Sequence, residues 1–208
     1  MSEFRPDAHE ISRRDVLRNI GLSLTLTGAG VGVLSAQNAQ HVHQLMEEEK
    51  AAAPYQPKCF NPHEYATLRR LAEIIVPAEE GSGGALEAGA PEFIDLLASG
   101  NEELAAIYTG GFAWLDEQMI HRYTATFLDA RPEQQAAMLD LMAYRKNESP
   151  ELGPGIRFFT WARNMTVDAF FTSKIGWEYL GYMGNQAMSQ FSVPAEAVEY
   201  ALKRSPLA

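Results

Sequence analysis

IRFFTWARNMTVDAFF, residues 156–171, carries apolar side chains at Phe158, Phe159, Trp161, Met165, Val167, Phe170 and Phe171. Wound at 3.6 residues per turn, these side chains point to nearly every side of a helix rather than along one stripe. A helix apolar all round must be covered all round. The pattern therefore predicts a central helix wrapped by others or, in a domain this small, covered on one face by a partner.

The neighbouring sequence supplies helices to wrap it. Asn61-Pro62-His63-Glu64 reads as a helix start: Asn61 caps, Pro62 suits the first position, and Glu64 falls three residues after the cap. Tyr65, Leu68, Leu71, Ala72, Ile75 and Val76 then share a face, with Arg69, Arg70 and Glu73 outward, until Pro77 stops the helix. After the turn Gly81-Ser82-Gly83-Gly84, Pro91 opens a short helix holding Phe93, Ile94, Leu96 and Leu97. From near Glu102, Leu104, Ile107, Tyr108, Gly111, Leu115 and Met119 recur at three and four. Gly110 and Gly111 weaken that helix by about 1 kcal/mol each relative to Ala, a cost that makes sense where another helix approaches closely. Asp129 to Glu133 is a break and a new start, followed by Met138, Leu141, Met142 and Tyr144. Asn147 to Gly155 reads as a loop. Pro194 starts a last helix with Val198 and Leu202 expected inward. No strand-like alternation and no internal repeat appears. The expectation is an all-α fold: a compact single-domain helical bundle over 61–208, with a long aromatic and glycine-rich loop near its C-terminus.

Upstream of this domain lies a different kind of segment. Ser12-Arg13-Arg14-Asp15-Val16-Leu17-Arg18 precedes an uncharged stretch from Ile20 to about Leu34, rich in Gly, Thr and Leu. A basic region, then a mildly apolar one too short for a confident membrane span, is the pattern of an export signal. Leu34-Ser35-Ala36 and Gln37-Asn38-Ala39 each end in Ala, but neither has a small residue three places before the cut. The signal, residues 1–36, is thus expected to be trimmed inefficiently or kept as a membrane tether. Residues 37–60 read as a flexible leader and linker, with a short helix between His41 and Lys50 and extended chain forced by Pro54 and Pro57.

Composition narrows the functions. The net charge is −10, and the signal holds four cations and four carboxylates, so the remainder keeps it all. Such a chain is repelled by nucleic acid and anionic membrane. Cys59 is the only cysteine, which excludes an internal disulfide, a cysteine zinc site, an iron–sulfur cluster and a C-x-x-C-H haem attachment. Two readings of Cys59 stay open, a buried inert thiol and a disulfide to another chain.

No catalytic motif stands out. Gly-rich phosphate loops and Gly-x-Ser-x-Gly are absent. Within the expected domain the histidines are His63, at a helix start, and His121, whose place near a helix end suits a C-terminal cation. Neither has metal-ligand spacing with a carboxylate. Glu79-Glu80, Glu102-Glu103 and Asp116-Glu117 read as solvated surface. The most unusual stretch is FFTSKIGWEYLGYMGN, residues 170–185, whose glycines rule out an uninterrupted helix. Aromatics on such a segment suit a protein interface, sugar stacking, or a loop folded over its own core.

Two stretches carry a resemblance. Ile75-Val76-Pro77-Ala78, the glycine-rich turn, and Ala88-Gly89-Ala90-Pro91-Glu92-Phe93-Ile94-Asp95 resemble an ordered set of motifs in the gluconate 2-dehydrogenase subunit 3 family. Thr172-Ser173-Lys174-Ile175-Gly176 with Leu180-Gly181-Tyr182-Met183-Gly184-Asn185 resembles the same family's later motif, and Arg13-Arg14 its twin-arginine leader. Here the turn lacks the usual Pro-Gly, and a charged helix follows Phe191. The resemblance implies a non-catalytic small subunit, with no cofactor of its own, of a periplasmic FAD-dependent (GMC-type) sugar or polyol dehydrogenase. Its implied partners are a large flavoprotein subunit, in many members a cytochrome c subunit, and the twin-arginine translocase, which moves folded cargo. Trp161, Phe170, Phe171, Trp177, Tyr179 and Tyr182 are then the expected partner contacts. The alternative is a free-standing exported protein that stacks a sugar on the Trp177–Tyr182 loop.

Overall fold

The computed structural model describes residues 36–52, 54–182 and 193–205. Among them are eight α-helices and no strand: α1 (Ala36–Ala52), α2 (Pro62–Ile75), α3 (Ala90–Ser99), α4 (Glu102–Tyr123), α5 (Pro132–Ala143), α6 (Gly153–Phe171), α7 (Lys174–Leu180) and α8 (Ala195–Arg204). The all-α expectation holds.

Local chemistry sets the helix starts. At α2, Asn61 accepts from the Glu64 N–H at 3.0 Å while Glu64 accepts from the Asn61 N–H at 2.9 Å, a reciprocal cap that satisfies two otherwise orphaned donors. Asn101 caps α4 through the Leu104 N–H at 3.0 Å, and Ser173 caps α7 through the Gly176 N–H at 3.1 Å.

The nearly all-round apolar helix is central. α6 packs against α2, α3, α4, α5 and α7. Its incompletely covered side runs through Arg157, Trp161, Asn164, Asp168 and Phe171 and extends to Thr160, Arg163 and Val167. A second inner helix, α3, is buried from Ala90 to Ala98, including Glu92 and Asp95. α4 meets α6 through two notches: a side chain on Gly111 would strike the Phe158 ring at 2.1 Å, and one on Gly155 would strike Trp114 at 2.0 Å. The close approach expected from the paired glycines thus rests on Gly111, whereas Gly110 faces open space. Around the first notch Phe60, Tyr108, Phe112 and Phe158 form an aromatic cluster with ring centroids 5.4–5.9 Å apart.

Three expectations need correcting. The short helix expected between His41 and Lys50 is present and longer, as α1, but it is not part of a flexible leader: its Ala39, Val42 and Met46 are buried in the common core against α3. An apolar spacing of three and four hidden among Gln and Glu was enough to dock it. The aromatic segment after Phe171 is largely the short helix α7, because Ser173 caps it and Gly181, at φ 63°, ends it. The segment is interrupted twice, at Thr172–Ser173 between α6 and α7 and at Gly181 as its glycines led one to expect, while Met183–Asn185 lie outside the described residues. Finally, Val198 and Leu202 of α8 do not point inward: no residue of α8 is buried, and Leu202 is 58% exposed.

Candidate docking surface

The stretches whose motifs stood out in the sequence meet in space. The turn at Glu79–Gly83, closed by paired hydrogen bonds of 3.1 Å between Glu79 and Ser82, lies against α7. Gly83 permits this contact, since a Cβ there would sit 3.3 Å from the Ile175 side chain. Between turn and helix runs an open cleft of about 400 Å³, lined by Glu79, Glu80, Gly81, Ser82, Gly83, Ile175, Glu178 and Tyr179. α7 itself is held to the end of α6 by the absence of a side chain on Gly176, where a Cβ would collide with the Phe170 carbonyl at 2.1 Å.

The expected contact residues divide. Tyr179 is 54% exposed and stands 6.3 Å from the Phe171 ring, itself 36% exposed. Tyr182 is exposed and packs edge-on against half-buried Trp177 at 6.0 Å. Trp161 is half-buried on the outward side of α6, which also holds Phe171. Phe170 is different: it is buried, with its ring against Phe171 and Tyr179, so it supports the surface from beneath rather than lining it. Arg13 and Arg14 lie outside the described residues. Of the ten large hydrophobics exposed among the described residues, four (Phe171, Tyr179, Leu180 and Tyr182) fall within this one segment. Clustered apolar exposure of that kind marks an interaction surface, unlike single exposed residues.

Cys59 lies beside the core, half-buried. Burial, then the charges of Asp95 and Glu64, push its thiol up to about 11, so it stays protonated and a poor nucleophile at neutral pH.

Two carboxylates carry structural work that the sequence reading did not assign to them. Asp95 is fully buried; its carboxylate accepts from the backbone N–H groups of Lys58, Cys59 and Phe60 at 2.7, 3.1 and 3.0 Å and from the Tyr55 hydroxyl at 2.7 Å. A charge inside an apolar run must be paired or hydrogen-bonded, and that was the signal available at Phe93–Ala98. Asp116, expected as solvated surface, accepts from the Phe127 N–H at 2.8 Å and pairs with His63 at 2.5 Å, joining α2 to the chain after α4. His121 is exposed in the last turn of α4 as expected. Among the described residues no group of three or more His, Cys, Asp or Glu could hold a metal ion, and no helix is long and apolar enough to cross a membrane.

A family model described as gluconate 2-dehydrogenase subunit 3 matches residues 62–188, a span that contains α2 through α7 and the whole cleft. No curated protein and no solved structure matches.

Proposed function

The chain belongs to the gluconate 2-dehydrogenase subunit 3 family, and from that premise we propose that it is the non-catalytic small subunit of a periplasmic FAD-dependent (GMC-type) sugar or polyol dehydrogenase, serving as export escort and stabiliser of the large flavoprotein subunit. Family membership ties the chain to a multisubunit dehydrogenase complex. The observation that carries the finer reading is the meeting of both family-like motif segments at one surface, where Tyr179, Phe171 and Tyr182 stay exposed beside the outward side of α6. Aromatic side chains in that position are the usual anchors of an interface. The Arg13-Arg14 signal supports the escort role. FAD must be inserted inside the cell, so a flavoprotein has to leave folded, and the twin-arginine route carries folded cargo.

Under this reading the signal on one chain serves two, and a cytochrome c subunit would receive the electrons. The alternative, a sugar platform on the Trp177–Tyr182 loop, has Tyr179 exposed in the cleft, but Trp177 is half-buried with its ring edge-on to Tyr182, and neither of those two rings lines the cleft. Co-expression of the flavoprotein with and without this chain, followed by assay of periplasmic dehydrogenase activity, tests the proposal. Activity should appear in the periplasm only with the chain, and Arg13→Lys with Arg14→Lys should trap both proteins in the cytoplasm. Export of the flavoprotein unaided would reject the escort role.

A further inference from the structure

The export signal runs into α1, and α1 is part of the folded domain. Ala39 and Val42 are fully buried and Met46 is 3% exposed. The Met46 methyl lies over Gly89, where a Cβ would meet it at 2.6 Å. His43 Nε2 stands 3.0 Å from the Thr172 hydroxyl, and Lys50 pairs with buried Glu92 at 3.6 Å. One of the two alanine-ended cleavage points, the Ala39–Gln40 bond, therefore lies inside a docked helix rather than in a leader. Removing the signal there hydrolyses that amide, water supplying an oxygen to the new Ala39 carboxylate and a proton to the new Gln40 amine. A signal peptidase takes its substrate as an extended strand and receives the small side chain before the cut in a pocket of its own. An extended chain advances about 3.3 Å per residue and a helix about 1.5 Å, so the residues around Ala39 would have to unwind and its methyl leave the core.

Resting on the export reading above, we propose that docked α1 closes the Ala39–Gln40 bond to signal peptidase, so that Ala36, where α1 begins, is the innermost point at which the signal can be removed. The twin-arginine route makes the fold decisive. It delivers a domain already folded, and the peptidase therefore meets α1 in place. Cleavage must then wait for local opening, and its rate scales with the fraction of chains open. Extending the chain through His41 undoes the turn that seats both Ala39 and Val42, two side chains with no exposure in the fold. The exported protein thus keeps α1 whole, with His43 and Met46 against α3 and the end of α6.

The test sends the same domain out by two routes. Gln37→Ala supplies the small residue missing three places before the cut, which makes the bond acceptable as sequence. In one arm the full chain carrying it is exported behind its own twin-arginine signal. In the other, the basic and apolar regions of a general secretory signal replace residues 1–34, so that the chain is threaded unfolded. Intact mass gives the N-terminus of each exported protein. Chains that begin at Gln40 should be rarer by about tenfold on the twin-arginine route than on the threaded one. Changing the route rather than a core side chain keeps the comparison free of variants that fail to fold. Equal cutting after Ala39 on both routes overturns the proposal, since the fold then protects nothing, and leaves the export reading standing. No cutting there on either route overturns it too, because the bond is then refused for its sequence. If the natural chain stays in the cytoplasm, the export reading fails and takes this inference with it.

Discussion

Asp95 shows how one side chain can organise a stretch of backbone. Three consecutive N–H groups of the approach to α2 converge on its carboxylate, together with the Tyr55 hydroxyl. Asp95→Asn keeps the shape but turns one oxygen into a donor that faces donors. A buried hydrogen bond to a charge is worth about 1.5–3 kcal/mol, and an unsatisfied buried group costs about as much. The variant should therefore lose roughly 3 kcal/mol in urea denaturation, through a lower midpoint at unchanged slope. A loss under about 1 kcal/mol would mean that the segment holds itself. Residue-level legibility followed range. Asn61 and Glu64 were readable because their partners lie three positions away. Asp95 bonds to residues 35–40 positions earlier, and no local spacing announces that.

At the scale of the element, the paired glycines of α4 make a sharp contrast. Gly110→Ala meets nothing within 4 Å and removes a helix-weakening residue, so it should raise stability by about 0.5–1 kcal/mol. Gly111→Ala drives a methyl into the Phe158 ring and should lower it by about 1–3 kcal/mol. Thermal melts of the two variants should move in opposite directions; movement together would deny the notch. Periodicity made α2, α3, α4 and α6 legible, because each carries several apolar residues at three and four. It failed at the C-terminus for a stated reason: α8 has the same amphipathic pattern, yet Val198 and Leu202 are exposed. An apolar stripe records that a helix needs a partner surface; it does not say whether that surface belongs to the same chain. α7 was missed because seven residues are too few to show a period, and its start depends on the Ser173 cap rather than on pattern.

The whole molecule is tied together partly through α1, and that tie is sensitive to acid. His43 reaches from α1 to the end of α6, 3.0 Å from the Thr172 hydroxyl, and its ring lies 4.9 Å from that of Phe93. Burial holds its pKa below the usual value of 6.5, outweighing the pull of the Ala169 carbonyl and of Glu47, while Lys50 pushes the same way as burial. With the folded value depressed, the unfolded chain takes up the proton first. Stability is therefore complete above pH 6.5 and is lost as the pH falls through the folded value. Protection factors over residues 39–46, measured amide exchange divided into the intrinsic rate at each pH, should fall below pH 6.5, and His43→Gln should flatten that dependence. An unchanged profile in the variant would place the acid sensitivity elsewhere.

By itself the sequence determined the fold class, the need of residues 156–171 to be covered on nearly every side, the capped start at Asn61, and the family that the match over 62–188 shows. These follow from helix periodicity, short-range capping and ordered motifs, all of which are written in local spacing. Only the tertiary structure decided that residues 36–52 belong to the core, that Phe170 lies beneath the docking surface while Phe171 and Tyr179 lie on it, and that the Glu79–Gly83 turn and α7 enclose one acidic, aromatic cleft. Each of those outcomes depends on which faces of distant helices meet. That is settled by packing side chains such as Phe158 and Ile175 against glycine notches, 47 and 92 residues away in the chain, and no local pattern encodes it.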